Sequence, residues 1–193
     1  KTGQQAQFVV PSGNLGNVTA AYIAQRLGFP IDQIVMSTNA NKAVVDYFDT
    51  GVFEPRQSIN TLASAMDVGN PSNLERLQYL YPDFDTLHAN ANAILVTDEH
   101  IKETISQVHQ NHKVLLCPHT ATAYYARAQL NQKPWMIAAT ADPCKFEQVL
   151  EPLLDCDVPP TSSLQQLLDR PNYMKHIAVD QHALRECYQD YFF

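Results

Sequence analysis

Residues 8–17 read Phe8-Val9-Val10-Pro11-Ser12-Gly13-Asn14-Leu15-Gly16-Asn17, and this stretch decides the fold. Phe8-Val9-Val10 is a short, continuously apolar run, as expected of a strand covered on both faces. Gly13 to Gly16 form a tight loop. A helix follows from about Asn17, with Val18, Ala21, Ile23, Ala24 and Leu27 as its apolar set and Gly28 as its stop. A strand that passes through a glycine-containing turn into a helix opens a βαβ unit. Two glycines let the turn curl and aim its amides at one point, and the helix adds the positive end of its dipole. One phosphate at the carboxyl end of the strand is the expected occupant. Ser12, Asn14 and Asn17 offer side-chain hydrogen bonds to it. The loop lacks the third glycine of GxGxxG and the GK[ST] ending of a P-loop, which disfavours NAD and ATP in their usual modes. Taken alone, these residues fit equally a strand-to-helix turn that binds nothing.

The same alternation continues outward. Ile34–Met36, Ala93–Val96, Val114–Cys117 and Trp135–Ala139 read as strands. Helices are expected over Lys42–Phe48, Asn73–Tyr81, from Thr97-Asp98-Glu99 onward, His119–Leu130 and Pro143–Leu150, with short ones near Ser163–Leu168 and Gln181–Tyr191. Strands alternating with helices give an α/β fold, a mainly parallel, doubly wound sheet in one domain over 1–193, with 151–193 as a helical tail. Residues 51–72 are the one long irregular stretch, and long loops in compact α/β domains are often functional.

Composition narrows the function. The chain has 193 residues, 45% hydrophobic and 17% charged, with a formal net charge of −7. That apolar content is globular, and the acidic balance argues against a nucleic-acid backbone binder. No apolar run reaches membrane-helix length and no signal peptide is visible, so no membrane partner is expected and a cytoplasmic location is the simple reading. The first residue is Lys1 rather than Met, which suggests a cut chain. Cys117, Cys144, Cys156 and Cys187 show no CxxC spacing and read as reduced, packed thiols. Cys117 with His119, and His109 with His112, lack a four-ligand pattern, so no metal site is expected.

Four further segments are unusually polar for their context. They are Ser37-Thr38-Asn39-Ala40-Asn41, Ser64-Ala65-Met66-Asp67-Val68 leading to Pro71-Ser72-Asn73-Leu74-Glu75-Arg76, Cys117-Pro118-His119-Thr120-Ala121, and Ala139-Thr140-Ala141-Asp142-Pro143-Cys144-Lys145-Phe146. Together with the Ser12–Asn17 loop, and in this order, they resemble the later part of the threonine synthase family. Those are fold-type II enzymes that use pyridoxal phosphate. The resemblance implies that Gly13, Asn14, Leu15, Gly16 and Asn17 hold the cofactor phosphate and that Thr140 faces its pyridine nitrogen. A hydroxyl there does not force that nitrogen to be protonated, as a carboxylate would. It also implies that Asp67, Asn73 and Arg76 stand near the substrate. Asp142 and Cys144 depart from the family's usual His and Ala, and Lys42 stands where an acidic residue is common.

The implied reaction takes O-phospho-L-homoserine and water to L-threonine and phosphate. The family's cofactor-anchoring lysine lies in a segment resembling G-P-T-x-A-F-K-D, which this sequence does not contain. Its lysines are 1, 42, 102, 113, 133, 145 and 175. Lys145 matches the lysine of the family's A-K-F motif, which is a different residue. The chain therefore reads as a carboxy-terminal part that is inactive alone, with the missing amino-terminal half as its partner. Two other readings stand beside it: another fold-type II enzyme such as a threonine dehydratase or β-replacement synthase, and a non-catalytic module that binds pyridoxal phosphate or another phosphorylated molecule.

Overall fold

The computed structural model describes residues 5–192. Lys1 lies outside them. The described chain falls into two compact units divided after Pro159. The first contains β1 (Ala6–Pro11), α1 (Gly16–Arg26), β2 (Ile31–Thr38), α2 (Ala43–Thr50), α3 (Leu74–Leu80), α4 (Phe84–Asn90), β3 (Asn92–Leu95), α5 (Asp98–His112), α6 (Pro118–Ala128), β4 (Met136–Ile137) and α7 (Glu147–Leu154). Single 3₁₀ turns lie at Ser64–Met66 and Pro143–Phe146. The second unit holds α8 (Ser162–Leu168) and α9 (Gln181–Phe192). The helical tail thus separates nearer 160 than 151, because α7 sinks Leu150 fully into the first unit's core.

The sheet runs β3-β2-β1-β4 and every pairing is parallel. Both faces are covered, which explains the apolar strands. Along β1, Val10 faces a cluster with Val18, Tyr22 and Leu77, while Val9 faces Ala123 and Ala126 of α6. On β2, Met36 joins the first cluster, and the next residue, Ser37, meets Thr122 of α6 with their hydroxyl oxygens 2.8 Å apart. A period of two delivers neighbouring residues to opposite faces. This is the doubly wound arrangement expected from the sequence.

Three local readings change. Val114–Cys117 is not a strand: it has no hydrogen-bonded neighbour in the sheet and runs as extended chain into α6, with Leu115 and Leu116 against the core. Apolar composition alone makes no ladder: the segment packs its side chains against the core without aligning its backbone along an edge strand. In α1 the buried face is Val18, Thr19 and Tyr22, whereas Ile23 and Leu27 are exposed. Tyr22 wins because its hydroxyl donates to the carbonyls of Ile34 (3.1 Å) and Asn90 (3.3 Å). Finally, Pro143–Leu150 divides into a 3₁₀ turn capped by Asp142 and the start of α7. Residues 51–72 are irregular as expected, apart from the Ser64–Met66 turn.

Candidate functional site

Because the four strands are parallel, their carboxyl ends share one edge, and the segments after β1, β2 and β4 gather there. In open α/β sheets that edge is where ligands bind.

The segment after β1 is built to leave donors free. Ser12 closes the strand, its N–H bonded to the Ser37 carbonyl and its hydroxyl to that of Val10, each at 2.8 Å. Leu15 then takes a left-handed conformation, φ 60° and ψ 12°, with its side chain buried. A left-handed non-glycine residue costs about 1–2 kcal/mol, and such strain concentrates at functional sites. It turns the chain so that α1 begins without a side-chain cap and without an acidic residue in its first turn. Among the described residues, no protein acceptor takes the backbone N–H of any residue from Gly13 to Val18; the first bond is Thr19 N–H to the Leu15 carbonyl, 2.9 Å. A row of unclaimed amides at the positive end of an eleven-residue helix is an anion cradle.

Two supports brace it. A Cβ on Gly13 would lie 2.5 Å from Met66 Cα, so only glycine lets the Ser64–Met66 turn back the cradle. On the other side, Asn14 Oδ1 accepts from Ser72 N–H (2.7 Å) and from its hydroxyl (3.1 Å), and the Asn14 carbonyl accepts from Asn73 Nδ2 (2.7 Å). Asn73 is buried, and its Oδ1 accepts from the exposed Arg76 guanidinium. Asn73 therefore touches the cradle directly, and Arg76 reaches it through Asn73.

Asp67 follows directly on the Ser64–Met66 turn that backs Gly13, and its carboxylate bonds protein donors. One carboxylate oxygen accepts from Asn39 Nδ2 (2.7 Å), Asn41 Nδ2 (3.1 Å) and the Thr61 hydroxyl (2.7 Å); the other accepts from Thr61 N–H (3.0 Å). It ties the irregular 51–72 segment to the end of β2. The polar run Ser37–Asn41, odd for a strand end, was the sequence signal for this hub.

His119 stands in the sequence as a metal-site seed, a helix start and part of a family-like polar segment, with no site role of its own. It is buried, its Nε2 accepts the Ala65 N–H at 3.0 Å, and its ring packs 4.8 Å from that of Phe146. Burial pushes its pKa down, with Asp67 pulling the other way. Cys117 caps the same helix, its Sγ accepting from Thr120 N–H at 3.3 Å.

Thr140 lies just beyond β4, the strand beside β1. The Ala138 N–H to Val9 carbonyl bond (3.0 Å) carries the β1–β4 pairing one residue further towards it. Thr140 is exposed, and among the described residues its hydroxyl has no protein partner. Asn17 is likewise exposed and unpartnered at the head of α1. Lys145 is exposed on the following 3₁₀ turn.

Comparison with known proteins fits this geometry. The family model for pyridoxal-phosphate dependent enzymes matches residues 2–137. Threonine synthase from Haemophilus influenzae is 35% identical over 168 residues, covering 86% of this chain and 38% of that protein. The crystal structure of threonine synthase from Escherichia coli superposes with a TM-score of 0.81 at 29% identity, covering 99% of this chain and 45% of that one. The pyridoxal-phosphate-bound threonine synthase from Brucella melitensis gives 0.86 at 25% identity, over 97% and 46%. The chain spans less than half the length of the curated relatives it matches.

Proposed function

The chain belongs to the pyridoxal-phosphate dependent enzyme family, and from that premise we propose that the protein carrying it converts O-phospho-L-homoserine and water to L-threonine and phosphate. The observation that carries the cofactor assignment is the unclaimed run of amides from Gly13 to Val18. The residues fit the group: a phosphate monoester needs several donors and no facing carboxylate, and the head of α1 offers both conditions.

When bound, pyridoxal phosphate draws electrons from the carbon that bears the substrate amine. Gly13, Asn14, Leu15, Gly16 and Asn17 hold its phosphate. The free Thr140 hydroxyl meets the pyridine nitrogen and, being neutral, imposes no proton on it. Asn73 fixes the cradle through the Asn14 carbonyl, and Arg76 offers positive charge to a phosphorylated substrate. Asp67 holds the 51–72 segment over this edge of the sheet. The chain's own lysines do not anchor the cofactor in this reading, so the 193 residues alone are inactive.

Threonine and phosphate formed in equal amounts from O-phospho-L-homoserine by the natural protein, and by no preparation of the 193 residues alone, is the expected result. Deamination of threonine without that reaction would move the protein to the dehydratases. Binding of pyridoxal phosphate with neither activity would make it a binding module.

A further inference from the structure

We propose that His119 is a positioning residue for the anion cradle: a neutral imidazole with its hydrogen on Nδ1, whose Nε2 holds the Ser64–Met66 turn against Gly13. The inference rests on the cofactor reading above and assigns that site a residue outside its binding motif.

The chain of contacts is short. Nε2 accepts the Ala65 N–H at 3.0 Å, so its lone pair is occupied and the ring hydrogen sits on Nδ1. Met66, the next residue, lies with its backbone against Gly13 so closely that no Cβ fits between them. The ring also packs against Phe146, on the 3₁₀ turn that follows Thr140. One buried imidazole thus joins the support of the phosphate end to the segment bearing the ring-nitrogen partner. Nδ1 is buried and has no protein partner among the described residues. A buried, unpaired donor is costly. A hydrophobic side chain of similar size would avoid that cost but would leave the Ala65 amide unbound, so the histidine is explained by the bond it accepts.

Protonation puts a hydrogen on Nε2, facing the Ala65 N–H, and the bond is lost. The titratable groups on the elements packed around the ring are Asp67 beside the Ser64–Met66 turn, Asp142, Cys144 and Lys145 on the Phe146 turn, and Cys117 at the head of α6. Burial holds the folded-state pKa below the ordinary histidine value, against the pull of Asp67. The contribution is therefore full above about pH 6.5 and is lost as pH falls from there through the folded value.

The test compares wild type, His119→Gln and His119→Leu in the natural protein. The readouts are ring ¹⁵N shifts, the amide signals of residues 13–18, and pyridoxal phosphate affinity from about pH 5 to about pH 8. Wild type should show the Nδ1–H tautomer and weaker binding on the acid side. His119→Leu should shift the cradle amides and weaken binding about tenfold, the loss of one buried hydrogen bond. His119→Gln, whose amide oxygen can accept from Ala65, should restore affinity and show a shallower acid-side loss than wild type, the remainder belonging to the ligand's own phosphate. An Nε2–H tautomer overturns the proposal, as does an unmoved cradle in His119→Leu or an acid limb as steep in His119→Gln as in wild type. If His119→Leu does not fold, the tautomer and the glutamine variant decide. If wild type binds no pyridoxal phosphate, the cofactor reading falls and the amide shifts alone decide the positioning role.

Discussion

Gly13→Ala gives a sharp test of how the cradle is braced. The added methyl carbon would stand 2.5 Å from Met66 Cα, 3.0 Å from its carbonyl carbon and 3.1 Å from its oxygen. Ordinary contact begins near 3.4 Å, so cradle and turn must separate by about 0.9 Å. The obstacle is backbone, and no rotamer change relieves it. The turn is also held by Asp67 and by His119, so the loop carrying the Gly13 and Asn14 amides moves with it or instead of it. An N–H to phosphate distance of about 2.9 Å would stretch towards 3.8 Å, beyond hydrogen-bond range. Each charge-assisted bond lost is worth about 1.5–3 kcal/mol, or roughly 10- to 150-fold in affinity. Overpacking should also lower stability by about 1–3 kcal/mol. The control is Gly16→Ala in the same loop, where the nearest atom to an added Cβ is Asn73 Nδ2 at 3.8 Å. Pyridoxal phosphate titration and thermal unfolding of both variants check the argument. Equal affinities for Gly13→Ala and Gly16→Ala, or an unchanged melting temperature for Gly13→Ala, would refute the brace.

Three more outcomes follow from the hydrogen bonds. Asp67→Ala strands the N–H and hydroxyl of Thr61, while Asn39 and Asn41 keep their other acceptors, and should cost about 2–3 kcal/mol in denaturant unfolding, with faster proteolysis confined to residues 51–72. Asn73→Ala frees the Asn14 carbonyl and should weaken pyridoxal phosphate binding more than Arg76→Ala does, while Arg76→Ala should act on the KM for phosphorylated substrate. Tyr22 is buried edge-on to Tyr81, and burial first, then Tyr81, raises its phenol pKa. That contribution to stability is present below the unfolded value near 10 and is lost as pH rises past it. Tyr22→Phe should therefore be about 1–2 kcal/mol less stable at neutral pH yet lose less stability on going to alkaline pH.

The βαβ opening was legible because strand, turn and helix are each set by residues within a few positions of one another. The β1 run, the start of α1 and the left-handed stop at Gly28 all fall where the sequence puts them. Val114–Cys117 misleads because its composition fits a strand, while pairing depends on lying in register beside another strand, which no local signal reports. The face of α1 misleads for a similar reason: hydropathy favours Ile23 and Leu27, but the hydroxyl of Tyr22 finds two carbonyls in the interior. Site roles set by long-range contacts are the least legible. His119 acts on Ala65 across 54 positions, and Asn14 on Ser72 across 58.

An acidic chain that cradles an anion needs a physical account, and the hydrogen bonds supply it. At physiological salt a charge is screened within about 8 Å, so the net charge of −7 matters less than the carboxylates near the cradle. The first turn of α1 has none. Asp67 follows directly on the turn that backs Gly13, and its carboxylate is already spent on Asn39, Asn41 and Thr61. Ser72 and Asn73 bring neutral donors to Asn14 and leave the amides alone. Asp67, and Asp142 after β4, are committed to holding loops, and the groups left open at the cradle are N–H. A single substitution that puts a carboxylate among them, Asn17→Asp, keeps the size of the side chain and places the new charge in the first turn of α1. It should therefore abolish phosphate binding with little loss of stability, because the helix end welcomes the charge that the ligand cannot share.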